Sequence, residues 1–222
     1  MIIKINGDII GNNWKDVYNW FGIESTCPND VISQLEALPE GEKAEIKINS
    51  GGGDVYAGQE IYTILRARDD VEIEIESIAA SAASIIAMAG RCTISPIGMI
   101  MIHTVSTGAH GNHRDMEKTA DILRQWDSAL ASAYVEKTGK PKDEIIRLME
   151  KETWLPADKA LENGFVDAIS EPAQKLTNAF GGMQVTDEML EQYKSAMKKK
   201  ADQEDLDARK NKLLNNLRFY GV

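Results

Sequence analysis

Segments in which polar and apolar residues alternate are separated by segments of helical pattern, and this order constrains the fold more than any other feature of the sequence. Residues 45–49 (Glu-Ile-Lys-Ile-Asn) and 71–75 (Val-Glu-Ile-Glu-Ile) alternate as half-buried strands do. A glycine cluster at residues 51–53 follows the first of them, and residues 57–68 then carry apolar side chains at helical spacing. Strands that alternate with helices favour parallel pairing. The sequence therefore predicts an α/β fold built on a largely parallel sheet.

The remaining segments extend this pattern over most of the chain. Further strands are predicted at residues 2–5, 92–94, 99–103 and 166–169, and further helices at residues 27–39, 81–90, 116–137, 143–150 and 157–163. The glycine cluster is expected to form a tight turn between its strand and its helix. The amphipathic run at 116–137 is expected to end at Gly139, ahead of Pro141.

Composition changes after residue 171, where lysine, aspartate and glutamate become dense. We interpret residues 1–170 as one domain and residues 171–222 as a charged, helical C-terminal tail, with Gly181-Gly182 as a flexible link. Two interpretations of this tail stay open. It is either a solvated helix or a contact with a neighbouring subunit.

The balance of charge and the use of cysteine exclude several classes of function. The 222 residues carry a formal net charge of -10, whereas a nucleic-acid-binding protein usually presents a basic surface. The two cysteines, Cys27 and Cys92, make no disulfide framework, which indicates a reducing compartment. No apolar run reaches the ~20 residues of a membrane-spanning helix, and the N-terminal apolar run is too short for a signal peptide. The sequence therefore predicts a cytoplasmic protein that binds neither nucleic acid nor membranes.

Two residues in this pattern have the chemistry of a nucleophile and its base. Ser81 lies where an apolar strand is predicted to turn into a helix of small residues, and His103 ends the apolar run at 99–103. A serine hydroxyl becomes a nucleophile when a base lies within hydrogen-bond reach and nearby donors stabilise the oxyanion. The N–H of Ala82 is the natural donor beside Ser81, and the glycine cluster would allow a close approach of the substrate. The sequence thus predicts a serine peptidase.

Each of these residues also has a purely structural interpretation. Serines in alanine-rich helices usually serve packing, and Ser84 is a rival to Ser81 whose hydroxyl is expected to bond back to a helix carbonyl. His103 could be a buried histidine of the core. His110 and His113 lie in a polar loop without a carboxylate or cysteine frame, so no metal site is predicted. No Gly-Lys-Ser/Thr ending follows the glycine cluster, which argues against a phosphate-binding loop.

Four short motifs occur in an order and at a spacing that resemble one enzyme family. They are Asn49-Ser50-Gly51-Gly52-Gly53, Ala79-Ala80-Ser81 with Gly90 behind it, Met101-Ile102-His103, and the segment from Glu152-Thr153-Trp154-Leu155 to Val166-Asp167. The resemblance that these motifs carry covers about residues 1–170. They resemble the motifs of the Clp-type serine peptidase (ClpP-like) family, and more closely those of its phage and prophage branch, whose members are head-maturation proteases.

The resemblance implies a catalytic set and an oxyanion hole. It selects Ser81 rather than Ser84 as the nucleophile and gives His103 the role of the base. It also implies that the backbone N–H groups of Gly53 and Ala82 donate to the oxyanion. No cofactor is implied.

This sequence departs from the family pattern at three places. The third catalytic residue of the family is usually aspartate, and Glu152 holds its position here, where a longer carboxylate could still orient the imidazole. The alternative is a surface charge at Glu152 and a site with only a dyad. Gly51 stands where the family has proline, and the segment between Gly90 and His103 is shorter than in the housekeeping enzymes.

The resemblance also implies an architecture and partners. The expected fold is an α/β spiral of ββα units, of the kind that Clp peptidases share with crotonases, with the helix at 116–137 protruding as a handle between subunits. Members form homo-oligomeric rings. Housekeeping members work with an ATPase unfoldase, whereas phage members process scaffold and capsid proteins. The tail after residue 171 favours the phage branch, so we expect an endopeptidase of that type, acting on protein or peptide substrates.

Three other functions remain open at this point. The first is a housekeeping proteolytic ring fed by an ATPase unfoldase. The second is a crotonase-like acyl-CoA enzyme, which shares the spiral fold but has no use for Ser81 with His103. The third is a shell component whose site has decayed and which has no enzymatic activity.

Overall fold

The computed structural model describes residues 1–171 and three isolated positions further on, 195, 198 and 199. The strands are β1 (Ile2–Ile9), β2 (Ser25–Thr26), β3 (Ala44–Gly53), β4 (Val71–Ala80), β5 (Cys92–Ile94), β6 (Met99–Ile102), β7 (Thr153–Pro156) and β8 (Ala168–Ile169). The helices are α1 (Lys15–Phe21), α2 (Pro28–Glu36), α3 (Val55–Arg66), α4 (Ala82–Ala87), α5 (His113–Thr138), α6 (Lys142–Glu150) and α7 (Ala157–Glu162). The predicted tail at 171–222 lies almost wholly outside the described residues, so the domain boundary and the tail helix stay predictions.

The strands form one sheet in which parallel pairing dominates. Their order is β2-β1-β3-β4-β5-β8, and every pair of neighbours in this order is parallel. β6 pairs with β4 in parallel, and β7 pairs with β6 in the antiparallel direction. The predicted α/β fold with a largely parallel sheet is confirmed.

Strand β4 changes its neighbour halfway along its length. Residues Ile73–Ile75 pair with β5, whereas residues Ile78–Ala80 pair with β6. The carboxyl ends of parallel strands meet at the same edge of a sheet, which is where α/β proteins usually bind ligands. The change of neighbour therefore brings the residues that follow β4 and β6 together at that edge.

Alternation along the central strands separates an apolar face from a charged one. Isoleucines of β1, β3 and β4 are buried on the apolar face; they are Ile3, Ile5, Ile46, Ile48, Ile73 and Ile75. On the charged face, Lys47 Nζ lies 3.3, 3.1 and 3.4 Å from the carboxylates of Glu45, Glu74 and Glu76. The half-buried strands predicted at 45–49 and 71–75 are therefore confirmed, although both run further than the alternation indicates.

The glycine cluster is part of a strand, and the prediction that it forms a turn is wrong. β3 continues through Gly53, which pairs with Ile9 of β1, and the next residue, Asp54, donates its N–H to the Ile9 carbonyl at 2.8 Å. Helix α3 begins directly afterwards, at Val55. Pairing with β1 keeps Gly52 and Gly53 in the strand, so the strand itself carries their backbone to the edge of the sheet.

Helix α5 is the predicted long helix, extended by three residues at the N-terminus and one at the C-terminus. From His113 to Trp126 none of its residues is buried, whereas further along Asp127, Leu130 and Tyr134 are. It ends as predicted at Gly139, whose φ of 70° suits a helix C-terminus. The exposed N-terminal half matches the expected handle. Across the described part of the chain, no helix is both long and apolar enough to cross a membrane.

Candidate active site

The register between β4 and β6 places Ser81 beside the chain that leads to His103. Ala80 pairs with Met101, and the N–H of Ser81 donates to the Met101 carbonyl at 2.9 Å. His103 follows β6 directly, so both residues stand one step beyond the ends of neighbouring parallel strands. The prediction that His103 lies at a strand tip is confirmed.

Ser81 and His103 are in direct contact through their side chains. Ser81 Oγ lies 2.7 Å from His103 Nε2, and both residues are half-buried. A neutral imidazole that carries its proton on Nδ1 accepts the hydroxyl proton at Nε2, which is the geometry required of a general base. The two residues are 22 positions apart in the sequence, and the sheet alone brings them together.

The backbone of Ser81 is held in an unusual conformation. Its φ is 53° and its ψ is -123°, and among the described residues Ser81 and Glu152 are the two non-glycine residues with positive φ. Residues kept in sparsely populated regions cost ~1–3 kcal/mol and concentrate at functional sites. A strained strand-to-helix turn is also how α/β hydrolases expose their nucleophilic serine. The conformation therefore supports a role for Ser81 beyond packing.

Ser84 takes the position that the sequence assigned to a helical serine. It is fully buried in α4, and its hydroxyl donates to the Ser81 carbonyl at 2.6 Å. The expected bond back to a helix carbonyl is confirmed. A buried hydroxyl that is engaged in this way has no access to a substrate.

The glycine backbone lies against the Ser81 turn so closely that a side chain would not fit. A Cβ atom on Gly52 would lie 2.6 Å from the Ala80 oxygen and 2.7 Å from Ser81 Cβ. A Cβ atom on Gly53 would lie 2.2 Å from the Ile9 oxygen. Both glycines also have positive φ, at 97° and 148°. At the end of β3, positions 52 and 53 can therefore be occupied without strain only by glycine.

We expect Gly52→Ala to lower the free energy of unfolding by about 2–4 kcal/mol, because positive φ and the contact with Ser81 both oppose a Cβ atom. The same contact should displace Ser81 and reduce any activity of the site. Gly51→Ala is the matched control, since a Cβ atom there meets nothing within 4 Å. Chemical denaturation of both variants measures the difference, and equal stabilities would contradict this account of the strand end.

A small pocket opens at the Ser81–His103 pair. Its wall includes Gly53 and Ala82, the two residues from which oxyanion donors are expected. Apolar and aromatic side chains form much of the wall, namely Val55, Ile85, Val105, Leu130, Tyr134 and Met149, and the polar residues Gln59, Thr104 and Ser106 also line it. The candidate nucleophile, its candidate base and both residues expected to donate to the oxyanion thus line one cavity of mixed character.

Glu152 and His103 each stand next to the last pair of the β6–β7 ladder. The antiparallel register ends with Ile102 opposite Thr153; His103 follows β6, and Glu152, with a φ of 49°, precedes β7. In the described part of the chain, the hydrogen bond of the Glu152 carboxylate is with the indole N–H of Trp154, at 3.2 Å, and His103 is not its partner. Glu152 is also exposed. Its role as the third catalytic residue therefore stays a prediction.

We expect Glu152→Ala to lower kcat by at most ~10⁴-fold, less than loss of the nucleophile, because the third residue of a triad is the least costly to remove. The reason is physical: the carboxylate only orients the imidazole and stabilises its cation. Steady-state hydrolysis of a peptide substrate measures the effect. Glu150→Ala, which removes an exposed carboxylate two residues earlier, serves as the control. Activity equal to that of the control would leave Ser81 and His103 as a dyad.

Sequence reasoning missed one buried acid close to the site. Asp127 of α5 is 9% exposed, and its carboxylate accepts the Val105 N–H at 2.7 Å. This bond ties the segment after His103 to the long helix. The only signal in the sequence is a charged residue between Trp126 and Leu130, on the apolar side of the helical pattern.

The loop histidines form no cluster of metal ligands. His110 and His113 are exposed, and nowhere in the described residues do three or more His, Cys, Asp or Glu side chains come together as metal ligands would.

The parallel sheet, the strained serine and the histidine in contact with it describe an α/β protein with a candidate nucleophile and a candidate base at the edge of the sheet. The Clp protease family model matches residues 13–173. The chain therefore belongs to the Clp protease family. This membership confirms the resemblance seen in the motifs, and the phage branch has no such support.

Curated relatives agree with the family match. A protein of Deinococcus radiodurans named ATP-dependent Clp protease proteolytic subunit is 31% identical over 178 residues, covering 76% of this chain and 87% of its own. A proteolytic subunit of Porphyromonas gingivalis is 32% identical, covering 69% of this chain and 72% of its own. Proteolytic subunit 1 of Thermobifida fusca is also 32% identical, with coverage of 66% and 70%.

Proposed function

We propose that this chain is a serine endopeptidase that acts as a proteolytic subunit of the Clp type. The observation that carries the proposal is the contact of 2.7 Å between Ser81 Oγ and His103 Nε2, at a pocket lined by Gly53 and Ala82. This arrangement offers a nucleophile, a base and backbone N–H groups that could stabilise the oxyanion, which are the groups that acyl transfer requires. Membership of a protease family supports the same reaction.

The reaction proceeds through an acyl-enzyme. Ser81 Oγ attacks the carbonyl carbon of the scissile peptide bond while His103 Nε2 takes the hydroxyl proton. The oxyanion that forms is stabilised by the N–H groups of Gly53 and Ala82. His103 then gives the proton to the departing amine, and the C–N bond breaks. A water molecule, deprotonated by His103, attacks the ester and releases the carboxylic acid and free Ser81. Glu152 would orient the imidazole in both steps.

The pocket favours an apolar side chain next to the scissile bond. Val55, Ile85, Leu130 and Met149 line it together with neutral polar side chains such as Gln59 and Thr104, and among the described residues that line it none is Asp, Glu, Lys or Arg. A buried charge without a partner is strongly disfavoured. We therefore propose cleavage after apolar residues of an unfolded or extended polypeptide.

The proposed partner is an ATPase unfoldase that feeds a ring of these subunits. The names of the relatives contain both "ATP-dependent" and "proteolytic subunit", which favours this alternative over the phage-type processing expected from the sequence. The phage expectation depended on the tail after residue 171, which is outside the described residues, and it stays a prediction. So does a cytoplasmic location. The exposed half of α5 offers a surface for contacts between subunits.

Two assays together test the proposal. Purified protein should hydrolyse a short fluorogenic peptide with an apolar residue before the scissile bond, with no added nucleotide. A stably folded protein substrate should be degraded only when a Clp-type ATPase and ATP are also present. Cleavage of capsid or scaffold proteins without any ATPase would instead favour the phage branch. Turnover of acyl-CoA that survives Ser81→Ala would favour a crotonase-like enzyme, and absence of any reaction would favour an inactive shell component.

A further inference from the structure

A buried chain of two hydroxyl groups leads from helix α5 to the backbone of Ser81. Tyr134 and Ser84 are 1% and 0% exposed, and their hydroxyl oxygens lie 2.7 Å apart. Ser84 Oγ in turn lies 2.6 Å from the Ser81 carbonyl oxygen. The two hydroxyl-bearing residues are 50 positions apart in the sequence, so these hydrogen bonds form only in the folded protein.

The direction of both hydrogen bonds follows from the donors available. The Ser81 carbonyl can only accept, so the single hydroxyl proton of Ser84 points to it. Tyr134 must then donate its own proton to Ser84 Oγ. Burial raises the pKa of Tyr134, which keeps the phenol protonated and able to donate at neutral pH. The order is therefore Tyr134 to Ser84 to the Ser81 carbonyl.

The Ser81 carbonyl belongs to the same rigid unit as the Ala82 N–H. The peptide bond between these residues is planar, and it is trans because the chain contains no cis peptide bond in its described part. In such a unit the C=O and the N–H point in opposite directions. Fixing the direction of the Ser81 carbonyl therefore also fixes the direction of the Ala82 N–H, and Ala82 lines the same pocket as Ser81 and His103.

The Ser81 carbonyl accepts two helical hydrogen bonds in addition to the bond from the Ser84 hydroxyl. It accepts from the Ser84 N–H at 3.0 Å and from the Ile85 N–H at 3.4 Å, and α4 is only six residues long. The φ of 53° at Ser81 adds strain at the same place. The bond from the Ser84 hydroxyl, at 2.6 Å, is the shortest of the three. Tyr134 orients that hydroxyl from a second, 26-residue helix.

We propose that Ser84 and Tyr134 are positioning residues, which aim the Ala82 N–H at the oxyanion through the Ser81 carbonyl. This inference rests on the proposed function, because an oxyanion forms only if Ser81 attacks a carbonyl. It assigns to the Tyr134 hydroxyl a role that acts through Ser84, because that hydroxyl bonds to Ser84 Oγ and not to the Ser81 hydroxyl or His103. It also makes the long helix α5 part of the support for the site.

The test compares Ser84→Ala, Tyr134→Phe and the double variant with the unaltered protein. Complete loss of an oxyanion donor lowers kcat by ~10²–10³-fold, so a misdirected donor should have a smaller effect. We expect kcat to fall about tenfold in Ser84→Ala and about threefold in Tyr134→Phe, with KM unchanged. Tyr62→Phe and Ser132→Ala are the controls, since they remove a half-buried phenol and an exposed helical hydroxyl elsewhere.

Two further measurements separate positioning from a general loss of structure. A peptide aldehyde forms a hemiacetal with Ser81 whose oxygen occupies the oxyanion position, and its affinity should fall by the same factor as kcat/KM. The pKa that governs the pH profile of kcat/KM should stay unchanged, because His103 is not part of this chain of bonds. Ser84→Ala leaves the buried Tyr134 hydroxyl without its hydrogen-bond partner and could therefore fail to fold. In that case the same measurements are made on the double variant, which removes both hydroxyl groups.

The outcomes are distinct. A lower kcat with unchanged KM, together with weaker aldehyde binding, supports the positioning role. Folded variants with kcat equal to that of the unaltered protein, or with only KM raised, overturn it while leaving the peptidase proposal in place. An unaltered protein that neither hydrolyses peptides nor binds the aldehyde overturns both.

Discussion

Ser81→Ala is expected to lower peptide hydrolysis by at least about 10⁴-fold, because the variant loses the atom that bonds to the substrate carbonyl. Loss of the nucleophile in a serine protease costs about as much as loss of the whole catalytic set. The measurement is steady-state hydrolysis of a fluorogenic peptide, with circular dichroism and thermal unfolding to establish that the variant is folded. Within residues 1–171, His103 is the hydrogen-bond partner of the Ser81 hydroxyl, so removal of this hydroxyl should leave the free energy of unfolding within about 1 kcal/mol.

Ser33→Ala is the matched control for this variant. Ser33 is an exposed serine of α2 whose hydroxyl bonds to a helix carbonyl far from the pocket. It should retain full activity. Full activity in Ser81→Ala would contradict the assignment of the nucleophile, and Ser84, which is buried and already engaged, could not take its place.

His103→Ala is expected to lower kcat on the same scale, at least about 10⁴-fold. Without an imidazole at 2.7 Å, the Ser81 hydroxyl keeps its proton and is a poor nucleophile at neutral pH. Hydrolysis should fall without a matching change in KM, because His103 acts in the transition state. His110→Ala removes an exposed loop histidine and should have no effect. A variant at His103 that keeps more than a tenth of the activity would show that another group is the base.

Much of this fold could be predicted because the alternation of polar and apolar residues marks several of its strands. Residues 45–49 and 71–75 alternate since one face of the sheet buries isoleucine and the other exposes charge. The full extent of β4 could not be predicted in the same way. Its second half, Ile78–Ala80, pairs with β6 and ends in two consecutive alanines, so the alternation of polar and apolar residues that marks its first half is lost.

Pairing partners far apart in the sequence account for two of the other failures. The glycines at 51–53 have the composition of a turn, and the ladder with β1 keeps them in the strand. β7 is four residues long and ends in Pro156, so it shows no period of its own and depends on β6. The helix at Lys15–Phe21 was missed because its apolar residues, including Trp20 and Phe21, are exposed rather than facing a core.

The site residues also divide into those that a local sequence pattern marks and those that depend on contacts between distant segments. Ser81 and His103 could be proposed from local pattern, because each follows an apolar strand, and the parallel sheet makes such strand ends meet. The choice between Ser81 and Ser84 came from the family resemblance, and its physical basis is visible only in the structure: one serine precedes α4 and the other is buried within it. The bond from Tyr134 joins two helices and leaves no local trace in the sequence.

The most direct test of the account is to treat the protein with a fluorophosphonate and measure its intact mass, followed by peptide mapping. The reagent bonds covalently to a serine hydroxyl that a neighbouring base makes reactive. We predict one adduct per chain, located at Ser81, and no adduct in either Ser81→Ala or His103→Ala. An unmodified protein, or an adduct on any other residue, would contradict the claim that Ser81 and His103 form a working nucleophile and base.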